Sequence, residues 1–405
     1  MLKCSVSVLT LAFVANGAAL TPVWVAVGAD GAAVARVVVE KASDCPPIVI
    51  DNGTPRPMLL RKPMPAGLSP ACEFRLPVNA RSAKVGEQKL ALPQKDPKRV
   101  VIIGDTGCRL KGERVQACND PEEWPFERVA KSAAARKPDL VLHSGDLLYR
   151  EEPCPAKGDI NCIGSPSGDT WATWNADFFA PAKELLKASP WLMTRGNHES
   201  CKRTWKGWFY YFDPRPMVDA CIEYSAPYLA KLGSFQVLVL DSSEAVEKVD
   251  EPQLAKFREQ LTPYASTPAW LLLHHPVLGL KMAGNAEASA ITEVLKLAYE
   301  EAGMKSIGLI VSGHIHTFEL LSFSNGWPPQ MVAGEGGTEL SLKVDKNAGA
   351  RPIFGAKLAS SKFVHGFGFV EMRGTGEHWN MYLRSKTGKK MASCELNGKA
   401  VVCKN

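Results

Sequence analysis

The chain has 405 residues, of which 45% are hydrophobic and 22% are charged, an ordinary balance for a globular protein. This composition excludes a disordered tail, a collagen-like fibre and a membrane protein with several spans. The net charge is only +6 and no block of Lys and Arg stands out, so no nucleic-acid-binding surface is expected.

The first thirty residues have the pattern of a secretory signal peptide. Lys3 precedes an apolar run at 6–14, and small residues follow at 15–19. A retained membrane anchor is the alternative, because the uncharged stretch at 4–29 exceeds 20 residues, although polar residues and a proline interrupt it. We therefore predict a signal peptide at 1–30, no stable membrane insertion after its cleavage, and a secreted or periplasmic protein.

The cysteines support export. Removal of the leader leaves ten of the eleven cysteines, and an even number in an exported chain is typical of disulfides. Zinc binding is the rival role, but the sequence has no CxxC spacing. Sequence alone does not fix the connectivity. Pairing of neighbours closes short polar loops and predicts Cys45–Cys72, Cys108–Cys118, Cys154–Cys162, Cys201–Cys221 and Cys394–Cys403.

The rest of the chain falls into two parts that differ in their sequence patterns. Residues 31–97 contain short β-branched runs broken by Pro and Gly, which predicts a small β-rich N-terminal module. From residue 98 onward, buried apolar runs alternate with helical patterns, which predicts one α/β catalytic domain at 98–385. An Asn397-Gly398 turn predicts a C-terminal hairpin within 386–405.

The predicted elements of the catalytic domain follow one another closely. Strands near 364–372 and 378–384 have no helix between them, so the sheets are expected to be mixed. The other predicted strands are 100–103, 140–142, 191–193, 235–240, 270–273 and 307–311, and the predicted helices are 126–136, 180–188, 253–261 and 288–302.

Polar residues stand directly after five of these strands. In open α/β sheets, ligand-binding groups collect beyond the carboxyl ends of strands. Taken singly, each residue has an ordinary interpretation, such as a cap for an Asp or a core position for a Tyr. Together they form a set of oxygen and imidazole donors that is typical of a di-metal hydrolase. The residues are Asp105, Asp146, Asn197 with His198, His274 with His275, and His314 with His316.

At these positions the segments GDTG, GDLLY, GNHE, LLLH and GHIH resemble the five blocks of the calcineurin-like metallophosphoesterases, over roughly residues 99–340. Tyr149, three residues after Asp146, and Gly107, where the general family has a His, are similar to the purple acid phosphatase branch. The resemblance implies a four-layer α-β-β-α sandwich of two mixed sheets.

The resemblance also implies a ligand set for two metal ions. Fe³⁺ would be bound by Asp105, Asp146, Tyr149 and His316. Asp146 would bridge to a second ion, Fe²⁺, Zn²⁺ or Mn²⁺, held also by Asn197, His274 and His314. A metal-bound hydroxide would attack the phosphate ester, and His198 would protonate the leaving group.

Three residues are weaker candidates for substrate contacts. Arg109 and Arg150 follow ligand blocks, where they bind phosphate oxygens or form surface ion pairs. His275 either adjoins the substrate or is structural. The expected partner is a small phosphorylated substrate, and the oligomeric state stays open.

Three functions compete. The first is an exported phosphatase acting on phosphate monoesters. The second is a metallophosphodiesterase acting on nucleotides or phospholipid head groups, which would share the metal core. The third is a non-catalytic secreted binding protein with a relic site, which is disfavoured because every ligand position is filled.

Overall fold

The computed structural model describes residues 19–155, 161–282, 288–344 and 353–404. Residues 1–18, which carry most of the predicted leader, lie outside the described residues. Within the described ranges, no helix has the length and apolarity needed to cross a membrane.

The N-terminal part of the described chain consists of short strands separated by turns. Their β-branched and apolar residues suit a half-buried pleated surface. The strands are β1 (Trp24–Val27), β2 (Ala33–Val38), β3 (Pro47–Ile50), β4 (Arg56–Pro57), β5 (Leu59–Leu60), β6 (Ala71–Leu76), β7 (Ala83–Val85) and β8 (Gln88–Lys89).

From Arg99 onward, strands and helices alternate, as the alternation of apolar runs and helical patterns in the sequence predicts. The first half contains β9 (Arg99–Ile103), β10 (Leu110–Lys111), β11 (Arg114–Val115), α1 (Phe126–Ala134), β12 (Leu140–His143), α2 (Trp171–Trp174), α3 (Ala180–Ala188), β13 (Trp191–Met193) and α4 (Trp205–Gly207). A π-helical turn, Asn175–Phe179, joins α2 to α3, and a second, Trp208–Phe212, follows α4.

The second half ends in strands without helices between them. Its elements are β14 (Tyr228–Leu232), β15 (Phe235–Val239), α5 (Glu251–Leu261), β16 (Ala269–Leu272), β17 (Gly279–Met282), β18 (Ala288–Ile291), α6 (Glu293–Glu301), β19 (Ile307–Ser312), β20 (Phe318–Phe323), β21 (Gln330–Ala333), β22 (Leu358–Val364), β23 (Gly368–Thr375), β24 (His378–Ser385), β25 (Lys390–Asn397) and β26 (Ala400–Lys404). The predicted helix 288–302 therefore begins later, because 288–291 pairs with β17 instead.

Two large sheets organise the chain. The larger has the strand order β26-β25-β24-β23-β9-β12-β13-β1-β2-β6-β5, and the second has the order β14-β15-β16-β19-β21-β20-β22. Strands β9, β12 and β13 are parallel to one another, as are β15, β16, β19 and β21. In contrast, β23 pairs antiparallel with β9, and β20 pairs antiparallel with β21. Both sheets are mixed, which confirms the predicted fold class.

The hydrophobic core fixes the order of the layers. Side chains of both sheets, such as Leu142 and Leu272, share one buried cluster between them. Phe126 of α1 and Leu185 of α3 pack on the outer face of the larger sheet, and helices α5 and α6 cover the second sheet, with Phe257 in the core. Each such side chain contributes roughly 1.5–3 kcal/mol. The result is the four-layer α-β-β-α sandwich.

The N-terminal strands divide between two sheets. β1, β2, β5 and β6 extend the larger sheet, and β1 pairs in parallel with β13, whereas β3, β4, β7 and β8 form a small sheet of their own. Trp24–Val27 lies inside the range 1–30 assigned to the leader. Cleavage that leaves the larger sheet intact therefore falls before Trp24.

The disulfide pairing is confirmed. All five predicted bonds between neighbouring cysteines are present, and they account for every cysteine of the described residues. Cys45–Cys72 ties the loop before β3 to strand β6, with a sequence separation of 27. Cys394–Cys403 joins β25 and β26, with a separation of only nine.

The size of each loop predicts how much each bond stabilises the protein. Replacing Cys45 and Cys72 together by alanine is expected to lower the free energy of unfolding by about 3.5 kcal/mol, because the longer loop regains more chain entropy when unfolded. Replacing Cys394 and Cys403 is expected to cost about 2.6 kcal/mol. Urea unfolding of both variants tests this ranking, and a larger loss for the C-terminal pair would contradict it.

Candidate metal centre

The five predicted polar segments meet at one edge of the sandwich. Parallel strands present their carboxyl ends together, and the two sheets turn these ends toward the same side. Residues that are far apart in sequence therefore become neighbours. Asp105 follows β9, Asp146 follows β12, Asn197 and His198 follow β13, His274 follows β16, and His314 and His316 follow β19.

Close backbone approach explains the glycines before these residues. A Cβ on Gly196 would lie 2.1 Å from Asp146 Oδ1, and one on Gly313 would lie 2.3 Å from Asp105 Oδ2. Asp105, Asp146 and His314 themselves have φ values of 53°, 59° and 71°. Such left-handed conformations are strained for residues other than glycine and cluster at functional sites.

Tyr149 is the centre of the first group of donors. Its hydroxyl lies 2.6 Å from Asp146 Oδ2, 2.9 Å from Asp105 Oδ1 and 2.9 Å from His316 Nε2. The tyrosine is fully buried. The other nitrogen of the His316 imidazole, Nδ1, lies 2.7 Å from the carbonyl oxygen of Glu339, and this contact fixes the orientation of the imidazole.

Asn197 is the centre of the second group. Its Oδ1 lies 2.9 Å from His274 Nε2 and 3.0 Å from His314 Nδ1. His274 Nε2 is also 3.2 Å from Asp146 Oδ2, so Asp146 belongs to both groups. His274 Nδ1 lies 2.8 Å from the carbonyl oxygen of Ser144, which sets its orientation.

His275 lies beside this group. Its ring centroid is 4.2 Å from that of His314, and His275 is buried whereas His314 is partly buried. The Oγ of Ser242 accepts the backbone N–H groups of His274 and His275, at 3.1 and 3.0 Å. This hydroxyl holds the turn so that His274 meets Asn197 and Asp146.

The electrostatics of the two groups favour cations. Burial and the neighbouring Asp146 raise the pKa of Asp105, although His274 opposes this change. Burial lowers the pKa of His274, but the carboxylates of Asp146 and Asp105 outweigh it and raise that pKa to about 9. Carboxylates, a phenol, an amide oxygen and imidazoles are donors that bind metal ions. The donor set therefore fits two cations, with Asp146 shared between them.

His198 stands at the wall of the site. Its Nδ1 pairs with Glu151, and its ring centroid lies 3.8 Å from that of Tyr149. Its backbone N–H donates to Asp146 Oδ1 at 2.9 Å. Burial lowers the pKa of His198, whereas Asp146 and Glu151 oppose the decrease.

Glu199 supports the loop of Asp146, a role that the sequence did not reveal. Its buried carboxylate accepts the backbone N–H groups of Asp146, Leu147, Leu148 and Gly196 at 2.8–3.1 Å. Burial and Asp146 raise the pKa of Glu199 to about 7. The only signal in the sequence was its place directly after the Asn197-His198 pair.

The structure places the two predicted arginines differently. Arg109 lines the site, and its guanidinium carbon lies 5.4 Å from the ring centroid of Tyr149. Arg150 is buried and is not one of the residues that line the site, and its Nε donates to Asp177 Oδ1 at 2.5 Å. The guanidinium of Arg150 is thus paired with a buried carboxylate, and Arg150 does not line the cavity that Arg109 lines.

An open cavity of about 370 Å³ leads to these groups. We call it the site cavity. Arg109, Arg114 and Lys281 give its wall a positive character, opposed by Glu339. Asp146, Tyr149, Asn197, His198, His314 and His316 also line it. A small anion that enters the site cavity therefore meets both donor groups.

Comparisons with known proteins agree with this arrangement. A family model described as calcineurin-like phosphoesterase matches residues 98–318, more than half of the chain. No curated protein matches the chain in sequence.

Two solved structures with similar folds cover most of the chain. A purple acid phosphatase, PPD1, from yellow lupin (Lupinus luteus) seeds has 16% identity and a TM-score of 0.59, covering 93% of this chain and 74% of that one. PhoD has 12% identity and a TM-score of 0.61, covering 96% and 93%. At these identities the likeness concerns the fold.

Proposed function

Because the chain belongs to the calcineurin-like phosphoesterases, we propose that it is an exported dinuclear-metal phosphatase that hydrolyses phosphate monoesters. The family match confirms the resemblance found in the sequence and makes the chain a metal-dependent phosphoester hydrolase. The observation that carries the proposal is the placement of Tyr149. Its hydroxyl lies within 2.9 Å of one oxygen of each carboxylate, Asp105 and Asp146, and of His316 Nε2. This is the donor set expected of a purple acid phosphatase-like centre.

The residues divide into two ligand sets. Asp105, Asp146, Tyr149 and His316 would hold Fe³⁺, because hard anionic oxygens suit a trivalent ion. Asp146, Asn197, His274 and His314 would hold Fe²⁺, Zn²⁺ or Mn²⁺. Bound cations of this kind neutralise the charge of a phosphate ester and lower the pKa of water.

The remaining residues of the site act on the substrate. Arg109 is placed to donate to phosphate oxygens at the mouth of the first ligand set. Burial raises the pKa of Tyr149, and the charge of Arg109 counteracts this increase. His198, oriented by Glu151, is placed to give a proton to the leaving alkoxide.

Export is supported by the cysteines. Five disulfides staple loops of the described chain, and such bonds persist in oxidising compartments. Together with the signal-like leader, they support a secreted or periplasmic location.

Tyr149 provides the test of the metal assignment. The aerobically purified protein is expected to contain iron and to show a visible tyrosinate-to-iron charge-transfer band, which Tyr149→Phe removes because the phenolate oxygen is lost. Tyr299→Phe, a buried tyrosine of α6, serves as the control and should keep the band. A colourless protein holding two Mn²⁺ or Zn²⁺ ions, or a band that survives in Tyr149→Phe, would contradict the iron assignment.

Substrate preference separates monoesterase from diesterase. We expect 4-nitrophenyl phosphate to be favoured over bis(4-nitrophenyl) phosphate in kcat/KM by about 10- to 100-fold, because a charged hydrogen bond such as one from Arg109 to the additional oxyanion is worth about 1.5–3 kcal/mol. Arg109→Met should reduce this preference, whereas Arg128→Met, at a surface ion pair, should not. Comparable turnover of both esters by the unmodified protein would favour the metallophosphodiesterase instead.

A further inference from the structure

A second cavity, larger than the site cavity, lies beside the N-terminal strands. It has a volume of about 500 Å³ and lies between β2, β4, β5 and β6 on one side and residues 214–217 on the other. We call it the basic cavity, because five cationic side chains and one carboxylate line it. They are Arg56, Arg61, Lys62, Arg75 and Arg215, with Glu73. Its lining residues in the described chain all differ from those of the site cavity.

Arg61 and Glu73 of the cavity lining, together with Arg36 directly behind Glu73, carry more positive than negative charge. Glu73 Oε2 accepts from Arg36 Nε at 3.0 Å and from Arg61 Nη1 at 2.6 Å. Both arginines are buried, at 0% and 2% exposure, so one carboxylate faces two guanidinium groups. Burial and Arg61 lower the pKa of Arg36 to about 10, a value at which it stays charged at neutral pH.

Arg61 has a donor to spare. Its Nη2 donates to the carbonyl oxygens of Phe209, Asp213 and Arg215, at 2.6–3.2 Å. Its Nε is buried and has no hydrogen-bond partner in the described part of the chain. A buried donor without an acceptor costs about 1–3 kcal/mol. An anion in the basic cavity would offset the excess positive charge around Arg61.

The rim adds three more cations. Arg56, Lys62 and Arg75 are exposed, and within the described ranges none of them takes part in an ion pair. The guanidinium carbon of Arg56 lies 4.8 Å from the ring centroid of Phe74, a cation–π contact that restrains the side chain. Arg215 contributes less, because its guanidinium already pairs with Asp213 at 2.7 Å.

Apolar side chains form the remaining wall. Leu59 is 66% exposed, and Phe74 and Met217 are partly buried beside it. A volume of about 500 Å³ lies in the range of small-molecule sites, which combine apolar walls with a few fixed polar groups. Inorganic phosphate alone would leave this wall uncovered, whereas an anion with an apolar body would contact both.

We propose that the basic cavity binds a small organic anion. Its carboxylate, sulfate, sulfonate or phosphate group lies between Arg56, Arg61 and Arg75, and its apolar body lies against Leu59 and Met217. This site is separate from the hydrolytic centre, so binding does not depend on the proposed phosphatase activity.

Fluorescence and calorimetric titration of the metal-loaded protein test the proposal. The probe is 8-anilinonaphthalene-1-sulfonate in phosphate-free buffer, and hydrolysis of 4-nitrophenyl phosphate is followed in parallel, so that any probe bound in the site cavity is detected as inhibition. One probe per chain is expected to bind, and Arg56→Gln/Arg75→Gln should raise Kd at least tenfold with hydrolysis unchanged. The matched control is Lys84→Gln/Lys89→Gln, which removes the same charge from exposed positions of the neighbouring small sheet and should leave Kd unchanged.

Competition identifies the part of the ligand that is recognised. Displacement of the probe by phenylacetate or by phenyl sulfate supports an anion site and shows which head group binds better. Equal displacement by benzyl alcohol would overturn the proposal, because the cavity would then recognise only the apolar body. Equal weakening in both double variants would also overturn it, since general electrostatic attraction would explain the binding.

Discussion

Replacing His198 by glutamine is expected to lower kcat for an alkyl phosphate by about 10²–10⁴-fold, the usual contribution of a general acid. The effect on 4-nitrophenyl phosphate should be much smaller. A nitrophenolate leaves without a proton, whereas an alkoxide needs one. The ratio of the two losses therefore reports proton donation, and a merely structural defect would lower both rates alike.

The surroundings of His198 allow this variant to remove proton donation without disturbing the backbone contact to Asp146. The contact from His198 to Asp146 Oδ1 comes from the backbone N–H and survives any change of side chain. Glutamine retains hydrogen-bonding capacity toward Glu151 but has no proton to give. Metal content measured on the same preparation should match that of the unmodified protein, because His198 lies outside both ligand sets.

Glu151→Gln is the companion variant. In the described part of the chain, Glu151 pairs with His198 Nδ1 and with Lys111 Nζ, the latter at 2.8 Å, and lies 3.3 Å from Arg203 Nη1. We expect a loss of about 10- to 100-fold, typical of a partner that orients a functional imidazole, with the same dependence on leaving group. Equal losses for both esters in His198→Gln would show that the histidine positions the substrate instead of protonating it.

The sequence indicated which segments carry the donor groups because each segment follows a strand of its own, whereas the division of the donors into two ligand sets came from the family resemblance. An apolar run followed by Gly and a polar residue marks a strand end, and parallel strands bring such ends together. Asp105 and His314 are 209 residues apart, yet the backbone N–H of His314 donates to the carboxylate of Asp105. The alternation of strands and helices along the sequence predicts that these two residues lie close together.

Supporting interactions left no such pattern. Glu199 and Asp177 act by accepting backbone N–H groups, and any carboxylate of the sequence is able to do so once the fold brings it close. Strand pairing between distant segments is equally hidden. The parallel contact of Ala26 with Trp191 depends on which edge of the sheet is free, and no local pattern records this.

Arg150 illustrates the same limit. Its position one residue after Tyr149 suggested a phosphate contact, whereas the structure directs its side chain away from the cavity lining toward Asp177. The direction of a side chain depends on the backbone geometry after the strand, and Tyr149 lines the site cavity whereas Arg150 pairs with Asp177.

Asp177→Asn is expected to destabilise the fold by about 3–5 kcal/mol, the usual cost of leaving one partner of a buried ion pair without its counter-charge. The side chains of Arg150 and Asp177 are 4% and 0% exposed. Asp177 also accepts the backbone N–H groups of Cys108, Tyr149 and Arg150, at 2.8–3.1 Å. An asparagine turns its NH₂ group toward some of these donors, so at least one is left unpaired.

A double variant separates charge from packing. Arg150→Met/Asp177→Asn removes the stranded cation and should recover part of the loss, because burying two ions is costly even when they pair. Glu184→Gln is the matched surface control. The side chains of Glu184 and Lys187, which form an ion pair, are 44–46% exposed. Glu184→Gln should therefore lower the free energy of unfolding by no more than about 1 kcal/mol. Urea unfolding measures all three free energies, and no recovery in the double variant would contradict the role of the charge.

The same carboxylate couples stability to the metal centre. Asp177 lies in the π-helical turn between α2 and α3, and it holds the backbone of Tyr149 from behind. Because Tyr149 is a proposed metal ligand, a looser Tyr149 should hold its metal ion less tightly, so Asp177→Asn should lose metal to a chelator faster than the unmodified protein under conditions where both are folded. Glu184→Gln should not. If Asp177→Asn kept its metal as well as the control, the carboxylate would stabilise the fold alone, and the position of Tyr149 would depend on Asp105, Asp146 and His316.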